Sequence, residues 1–187
     1  MEQRTTATMR SAMIVHDGGL AGLAACLAAQ ERGTERLVVW RPREGGVLAG
    51  TIGDGGTLGD VRAQMAVVGF EDVVEGGGAG DGVGSAGWPR RGHVGLAREL
   101  LEVCGEAMER GLGRVIWPVF VGDDVDGLSA VTRVVQSVEG IVRLEAGVGG
   151  LRVETPFAEH SEAEMRAIAE EVGAARLLGA GGTAEVV

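Results

Sequence analysis

The feature that most constrains the fold is an apolar run that ends at a pair of glycines and leads directly into an alanine-rich segment. Residues 11–15 are apolar enough for a buried strand, Gly18 and Gly19 follow, and residues 20–32 read as a helix that ends at Gly33. A strand, a tight glycine turn and a helix amino terminus in this order predict an α/β unit. Backbone N–H groups of such a turn can hold a phosphate.

Strand and helix patterns alternate along the rest of the chain. The predicted strands are residues 11–15, 37–40, 72–74, 114–121 and 153–157, and the predicted helices are residues 20–32, 57–68, 93–110, 127–144 and 161–172. Glycine-rich loops are expected at residues 41–56 and 76–92. This alternation predicts a three-layer α/β fold, with a mostly parallel sheet of about five strands and helices on both faces. We expect one domain at residues 11–187 after a flexible tail at residues 1–10.

The composition of the chain limits the kinds of partner that it can bind. The chain has 187 residues, of which 45% are apolar, so it can bury a substantial core. A net charge of −10 disfavours binding to nucleic acid or to an anionic membrane surface, because both require a basic patch. No lysine is present to hold a phosphate. Cys26 and Cys104 lie far apart in apolar helical patterns and are expected to be buried thiols. The chain shows no apolar signal core and no membrane-length apolar run, which favours the cytoplasm.

The glycine turn itself leaves two interpretations open. The residues after Asp17 match neither the G-x-G-x-x-G pattern of dinucleotide-binding folds nor the G-x-x-x-x-G-K-[ST] pattern of P-loop NTPases. A structural tight turn and a phosphate-binding turn formed by Gly18, Gly19 and Leu20 therefore both remain. The carboxylate of Asp17 argues against a bound anion unless a metal ion or an arginine lies between them.

The carboxyl ends of the predicted strands bring further candidates together, because ligands of parallel sheets bind at that edge. His16, Asp17, Asp123 and His160 fall there and are the candidate catalytic residues. Ordinary surface or capping roles are the alternative for the histidines. Asp123, with Asp124 and Asp126, forms either a Mg²⁺ or substrate contact or simply a favourable acidic helix start.

One further segment extends this set of candidates. Arg90 and Arg91 stand beside the second glycine loop, where Arg91 is the candidate phosphate ligand and a solvated pair is the alternative.

With the elements placed, the chain resembles the 7-cyano-7-deazaguanine synthase family of PP-loop ATP pyrophosphatases, which has the adenine nucleotide α-hydrolase (HUP-type) fold. The family's opening strand and S-G-G-L-D-S loop match residues 14–22, which end in D-G-G-L-A-G. Its late P-L-x-D-L-S-K-A-E-I segment, followed by L-G-V, matches P-F-A-E-H-S-E-A-E-M at residues 156–165 and V-G-A at residues 172–174. Its arginine-led helix and I-x-x-G-x-x-x-x-D strand are similar to residues 91–108 and 115–126, so the likeness covers most of residues 11–178.

The resemblance implies ATP and Mg²⁺ as cofactors, a role in queuosine-type biosynthesis, and a homodimer or a pairing with a paralogous subunit. It also implies Gly18, Gly19, Leu20 and Arg91 as the nucleotide-binding residues. No zinc is expected, because Leu177-Leu178-Gly179 stand where the family's Trp-Ser-Cys begins its four-cysteine site.

Departures from the family pattern remove the side chains that organise pyrophosphate and Mg²⁺. Asp17 replaces the first Ser of the loop, Ala21 the Asp and Gly22 the last Ser, while Glu162 replaces a Lys. The family's D-Y-G-Q after the second strand is replaced by W-R-P-R, beginning at Trp40. We therefore expect a chain that has lost adenylation and serves as a nucleotide-binding or assembly protein.

Two alternatives stay open at this stage. One is an active enzyme with a re-purposed site made of Asp17, His16, Asp123 and His160. The other is a plain structural module whose cleft is filled by Trp40 or Trp88.

Overall fold

The computed structural model describes residues 10–42, 47–48, 61–69, 72–76, 93–146, 150–174 and 176–177. Within these ranges strands and helices alternate from the first element to the last. The strands are β1 (Ser11–Val15), β2 (Arg36–Arg41), β3 (Val73–Glu75), β4 (Arg114–Ile116) and β5 (Arg152–Glu154). The helices are α1 (Leu20–Glu31), α2 (Val61–Val68), α3 (His93–Glu109), α4 (Val125–Ala146) and α5 (Glu162–Glu171).

The five strands form one parallel sheet in the order β3-β2-β1-β4-β5. β1 is the central strand, and all five of its residues are buried. Parallel neighbours must be joined by crossovers, and the right-handed crossover from β1 to β2 runs along the sheet in the opposite direction to those that lead to β4 and to β5, so their helices lie on opposite faces. Accordingly α1 packs against α5, and α3 packs against α4. The predicted α/β class and five-stranded parallel sheet are confirmed, and the strand order is Rossmann-like and consistent with the HUP type.

β4 is shorter than the sequence predicts. It ends at Ile116, although residues 117–121 continue the apolar run and Trp117 and Val119 are fully buried. Trp117 still donates its N–H to the carbonyl of Glu154 at 2.8 Å, but Pro118 has no N–H with which to extend the ladder. The apolar run therefore continues as buried irregular chain. β5 also ends early, at Glu154 rather than at residue 157.

Helix ends follow the sequence signals closely. Ser161 and Glu164 form the predicted capping box at the start of α5. Gly33 and Gly173 follow α1 and α5 with φ of +77° and +81°, values that favour glycine over any other residue. α4 begins at Val125 instead of residue 127, because the carboxylate of Asp124 accepts the Gly127 N–H at 3.0 Å and caps it.

Both cysteines are buried, as predicted. Burial raises the pKa of the Cys104 thiol to about 12 and that of Cys26 further still, so neither thiol ionises at neutral pH. In the part of the chain that the structure describes, no helix is long and apolar enough to cross a bilayer.

Most of the two predicted glycine loops lies outside the described residues. Where the first loop is described, Glu99 of α3 holds it: the N–H groups of Val47 and Leu48 each donate to one Glu99 carboxylate oxygen at 2.9 Å. Residues 1–9 of the predicted tail, residues 57–60 of the predicted second helix and residues 77–92 of the second loop also lie outside the described ranges. The same holds for the sequence candidates Trp88, Arg90 and Arg91.

Candidate functional site

The turn between β1 and α1, residues 16–19, lies at the carboxyl end of the central strand. β1 pairs with β2 on one side and with β4 on the other, and the chain runs outward from β1 to β3 on the first side and from β4 to β5 on the second. This is the topological switch point of a doubly wound sheet, where ligands of such folds usually bind. The location of the site at this edge stays a prediction, and its chemistry depends on the side chains of the turn.

His16 is fully buried, and its ring is bound on both sides. The Gly18 N–H donates to Nδ1 at 3.2 Å, so that nitrogen carries no proton. The proton therefore lies on Nε2, which donates to Oε1 of Gln64 at 2.9 Å. The Gln64 amide nitrogen in turn donates to the Gly18 carbonyl at 3.1 Å. His16 and Gln64 together hold the polar groups of Gly18.

This network keeps the imidazole neutral. Burial lowers the pKa of His16 from 6.5 to about 4, and the Gln64 hydrogen bond offsets only part of that effect. A second proton on Nδ1 would also remove the acceptor of the Gly18 N–H. At neutral pH this histidine is therefore a poor general acid or base and a well-placed structural acceptor.

Gly22 of α1 makes room for the ring. A Cβ at this position would lie 2.1 Å from Nδ1 of His16, well inside van der Waals contact. The imidazole therefore occupies the space that any side chain at position 22 would need, so a buried ring at position 16 requires glycine at position 22.

Asp17 accepts a hydrogen bond from the second glycine of the turn. Its Oδ1 accepts the Gly19 N–H at 2.9 Å, and the residue is 7% exposed. The carboxylate lies at the amino end of α1, where the helix dipole favours negative charge. Gly18 has φ of +101°, which only glycine adopts readily, so this position of the turn requires glycine. The N–H groups of both glycines nevertheless already have acceptors within the chain.

The acidic residues after β4 do not form a comparable site. Asp124 caps α4, whereas Asp123 and Asp126 are exposed. Across the described ranges, no group of three or more His, Cys, Asp or Glu side chains is arranged to hold a metal ion.

His160 has surroundings different from those of His16. Its ring meets Phe157 edge to face, with centroids 6.2 Å apart and an angle of 85° between the rings. It borders a cavity between α1 and α5, whereas His16 lies against Gly22 and Gln64. Asp123 is on the exposed loop before α4. Of the four candidate catalytic residues, the structure brings His16 and Asp17 into one turn and places Asp123 and His160 in other surroundings.

The remaining candidates stand as follows. Leu20 is half-buried at the first position of α1, and Arg91 lies outside the described residues. Trp40 is 7% exposed at the carboxyl end of β2, and its ring lies against Gly76, where an added Cβ would be 3.0 Å from the indole nitrogen. Sequence reasoning missed Gln64, whose place in a weakly patterned helix gives no signal of its hydrogen bonds to the turn.

Comparisons with known proteins add a fold likeness only. No protein-family model matches the chain, and no curated protein matches it. Among solved structures it is similar to the crystal structure of a predicted subunit of tRNA methyltransferase from Methanocaldococcus jannaschii. The two chains are 14% identical and superpose with a TM-score of 0.42, over 86% of this chain and 74% of that one.

Proposed function

We propose that this chain is a non-catalytic relative of the PP-loop synthases that make 7-cyano-7-deazaguanine, and that it has lost ATP-dependent adenylation. In this proposal it works in the cytoplasm as an assembly protein, paired with itself or with a paralogous subunit. The observation that carries the proposal is the turn of residues 16–19, in which Asp17 and His16 accept the N–H groups of both glycines.

Electrostatics supports the same conclusion. A triphosphate at the turn would have to displace the Asp17 carboxylate from the Gly19 N–H while remaining close to it. Like charges at short range in a poorly solvated site repel strongly, and the chain has no lysine to offset the repulsion. The family's carboxylate at position 21 and hydroxyl at position 22, which would organise Mg²⁺, are replaced by Ala21 and Gly22.

The test is calorimetric titration of the protein with ATP and Mg²⁺, combined with an assay for released pyrophosphate. We expect no magnesium-dependent heat of binding and no pyrophosphate. The variant Asp17→Ser leaves only a weaker acceptor for the Gly19 N–H and removes the opposing charge, so it should gain weak binding of ATP. The matched control is Asp126→Ser, which removes the same charge from an exposed position at the start of α4 and should leave binding unchanged. Tight magnesium-dependent binding with pyrophosphate release by the unmodified protein would overturn the proposal.

A further inference from the structure

The two edge strands of the sheet, β3 and β5, differ in what binds their outward backbone groups. An edge strand presents N–H and C=O groups with which a strand of another chain can pair, and proteins usually block or cover such groups. Alternate residues of a parallel strand bond to opposite sides, so the ladder bonds show which residues point outward at each edge.

The β5 edge is closed by a side chain of α4. Arg152 donates its N–H to the Gly113 carbonyl at 3.1 Å, on the side of β4, so the next residue, Val153, points outward. The Val153 N–H donates to Oε1 of Glu139 at 3.3 Å. A partner strand would have to displace this carboxylate before it could pair with Val153.

The β3 edge has no comparable cap. Asp72 and Gly76 both bond to the backbone of β2, at 2.9 and 2.8 Å, so Val73 and Glu75 point away from it. In the part of the chain that the structure describes, no hydrogen bond uses the backbone N–H or C=O group of Val73 or Glu75. These groups are the ones that an added strand would pair with.

The spacing of these groups fits a second copy of the same edge. When two β3 strands lie antiparallel about a two-fold axis at Val74, Val73 lies opposite the partner's Glu75, and the two residues exchange two hydrogen bonds. The symmetry repeats this exchange on the other side of the axis. Every outward N–H and C=O group of both copies then has a partner, and the half-buried Val74 side chains meet at the axis.

The charges at the two ends of β3 are complementary under the same symmetry. At the carboxyl end, Arg41 and Arg62 lie 3.7 and 3.2 Å from one oxygen of Glu75, which leaves an excess of positive charge. At the amino end, Asp72 and Glu106 share one arginine, which leaves an excess of negative charge. Antiparallel pairing puts each positive end beside the negative end of the partner, whereas parallel pairing would bring like ends together.

We propose that two copies of this chain pair through their β3 edges, antiparallel about a two-fold axis at Val74, and so form one continuous sheet. This inference rests on the self-pairing in the proposed function and names the surface that carries it. It does not depend on whether the β1–α1 turn binds ATP.

The first test is sedimentation equilibrium of the full chain, combined with amide hydrogen exchange. We expect a species with twice the mass of one chain. The amides of Val73 and Glu75 should be protected from exchange in the pair and should lose that protection on dilution. The amide of Val153 is bonded within one chain, so its exchange should not depend on concentration.

Val73→Pro tests the hydrogen bonds of the pair. It removes an N–H that one chain does not use, so the fold should be retained. Each pair loses two hydrogen bonds by symmetry, and we expect self-association to weaken at least about tenfold. The matched control is Val73→Thr, which retains the N–H and the branched side chain and should leave self-association unchanged.

Cysteine cross-linking tests the register. The two copies of Val74 form a non-hydrogen-bonded pair with Cα atoms about 4.5 Å apart, which suits a disulfide. Val74→Cys should therefore form a covalent dimer under mild oxidation. Val73→Cys is the control, because its two copies lie about 8 Å apart, beyond the reach of a disulfide. Cys26 and Cys104 are buried and do not compete.

Circular dichroism shows whether each variant is folded. A mass of one chain at all concentrations overturns the inference and leaves only the paralogous subunit of the proposed function. A pair that persists in folded Val73→Pro, or that cross-links equally through Val74→Cys and Val73→Cys, overturns the β3 edge and retains self-pairing. Loss of adenylation is judged separately, by the titration with ATP and Mg²⁺.

Discussion

Gly22 and His16 constrain each other so tightly that the identity of one limits the identity of the other. The imidazole lies where a side chain at position 22 would extend, and burial keeps the ring neutral. A buried group in a close-packed interior cannot move aside cheaply, because its neighbours fill the surrounding space. The packing of this residue pair therefore fixes how the turn of residues 16–19 meets the first turn of α1.

Gly22→Ala should lower the free energy of unfolding by about 2 kcal/mol or more, because the methyl group overlaps the ring of His16. Urea denaturation measures the loss. Gly140→Ala is the matched control in α4, where an added Cβ meets nothing within 4 Å, and it should stabilise the protein by about 0.5–1 kcal/mol. Adding His16→Ala should make the Gly22→Ala change much less damaging. Equal losses in both backgrounds would show that the ring is not the obstacle.

His16 should also make stability depend on pH in a defined window. Its pKa is about 4 in the folded protein and 6.5 in the unfolded chain, so between these values only the unfolded chain is protonated. The stabilisation is therefore complete above pH 6.5 and is lost as the pH falls toward 4. Between pH 6.5 and about pH 5 we expect a loss of about 2 kcal/mol.

Urea unfolding at these two pH values measures that loss. His16→Gln removes the titrating group and should flatten this part of the profile, whereas His93→Gln, at an exposed helix start, should retain it. An imidazole NMR titration that places the His16 pKa near 6.5 would contradict the burial argument.

At the scale of single elements, the acidic segment before α4 is best understood as a helix cap. Asp124 accepts the Gly127 N–H, and Asp126 lies in the first turn, where the dipole favours a carboxylate. Asp124→Ala should cost about 1 kcal/mol of stability, and Asp123→Ala, in the same exposed segment, should cost little. Thermal or urea denaturation compares the two variants. Equal effects would argue that the pair acts through its charge instead of through the cap.

Elements also show where sequence reasoning succeeds and where it stops. The ends of α1 and α5 were predictable, because a capping box and left-handed glycines act within a few residues. The end of β4 was not predictable from the sequence. Trp117 and Val119 are buried, so their positions must be apolar whether or not this segment pairs as a strand. Pro118 was the one local signal for that boundary.

At the scale of the whole molecule, the alternation of patterns was sufficient to predict the parallel sheet, and with it the location of the candidate site at the carboxyl end of β1. The state of that site was not predictable. Gln64 reaches His16 from 48 residues further along the chain, and no local pattern marks such a contact. His160 and His16 both follow strands, yet helix packing gives them different surroundings.

The N–H groups of Gly18 and Gly19 are satisfied within the chain and are therefore not available to a phosphate. The most direct measurement is the position of these two amide resonances during titration of ¹⁵N-labelled protein with ATP and Mg²⁺. We expect both resonances to stay in place to the end of the titration. Saturable, magnesium-dependent movement of both would contradict it, because phosphate would then have replaced His16 and Asp17 as their acceptor.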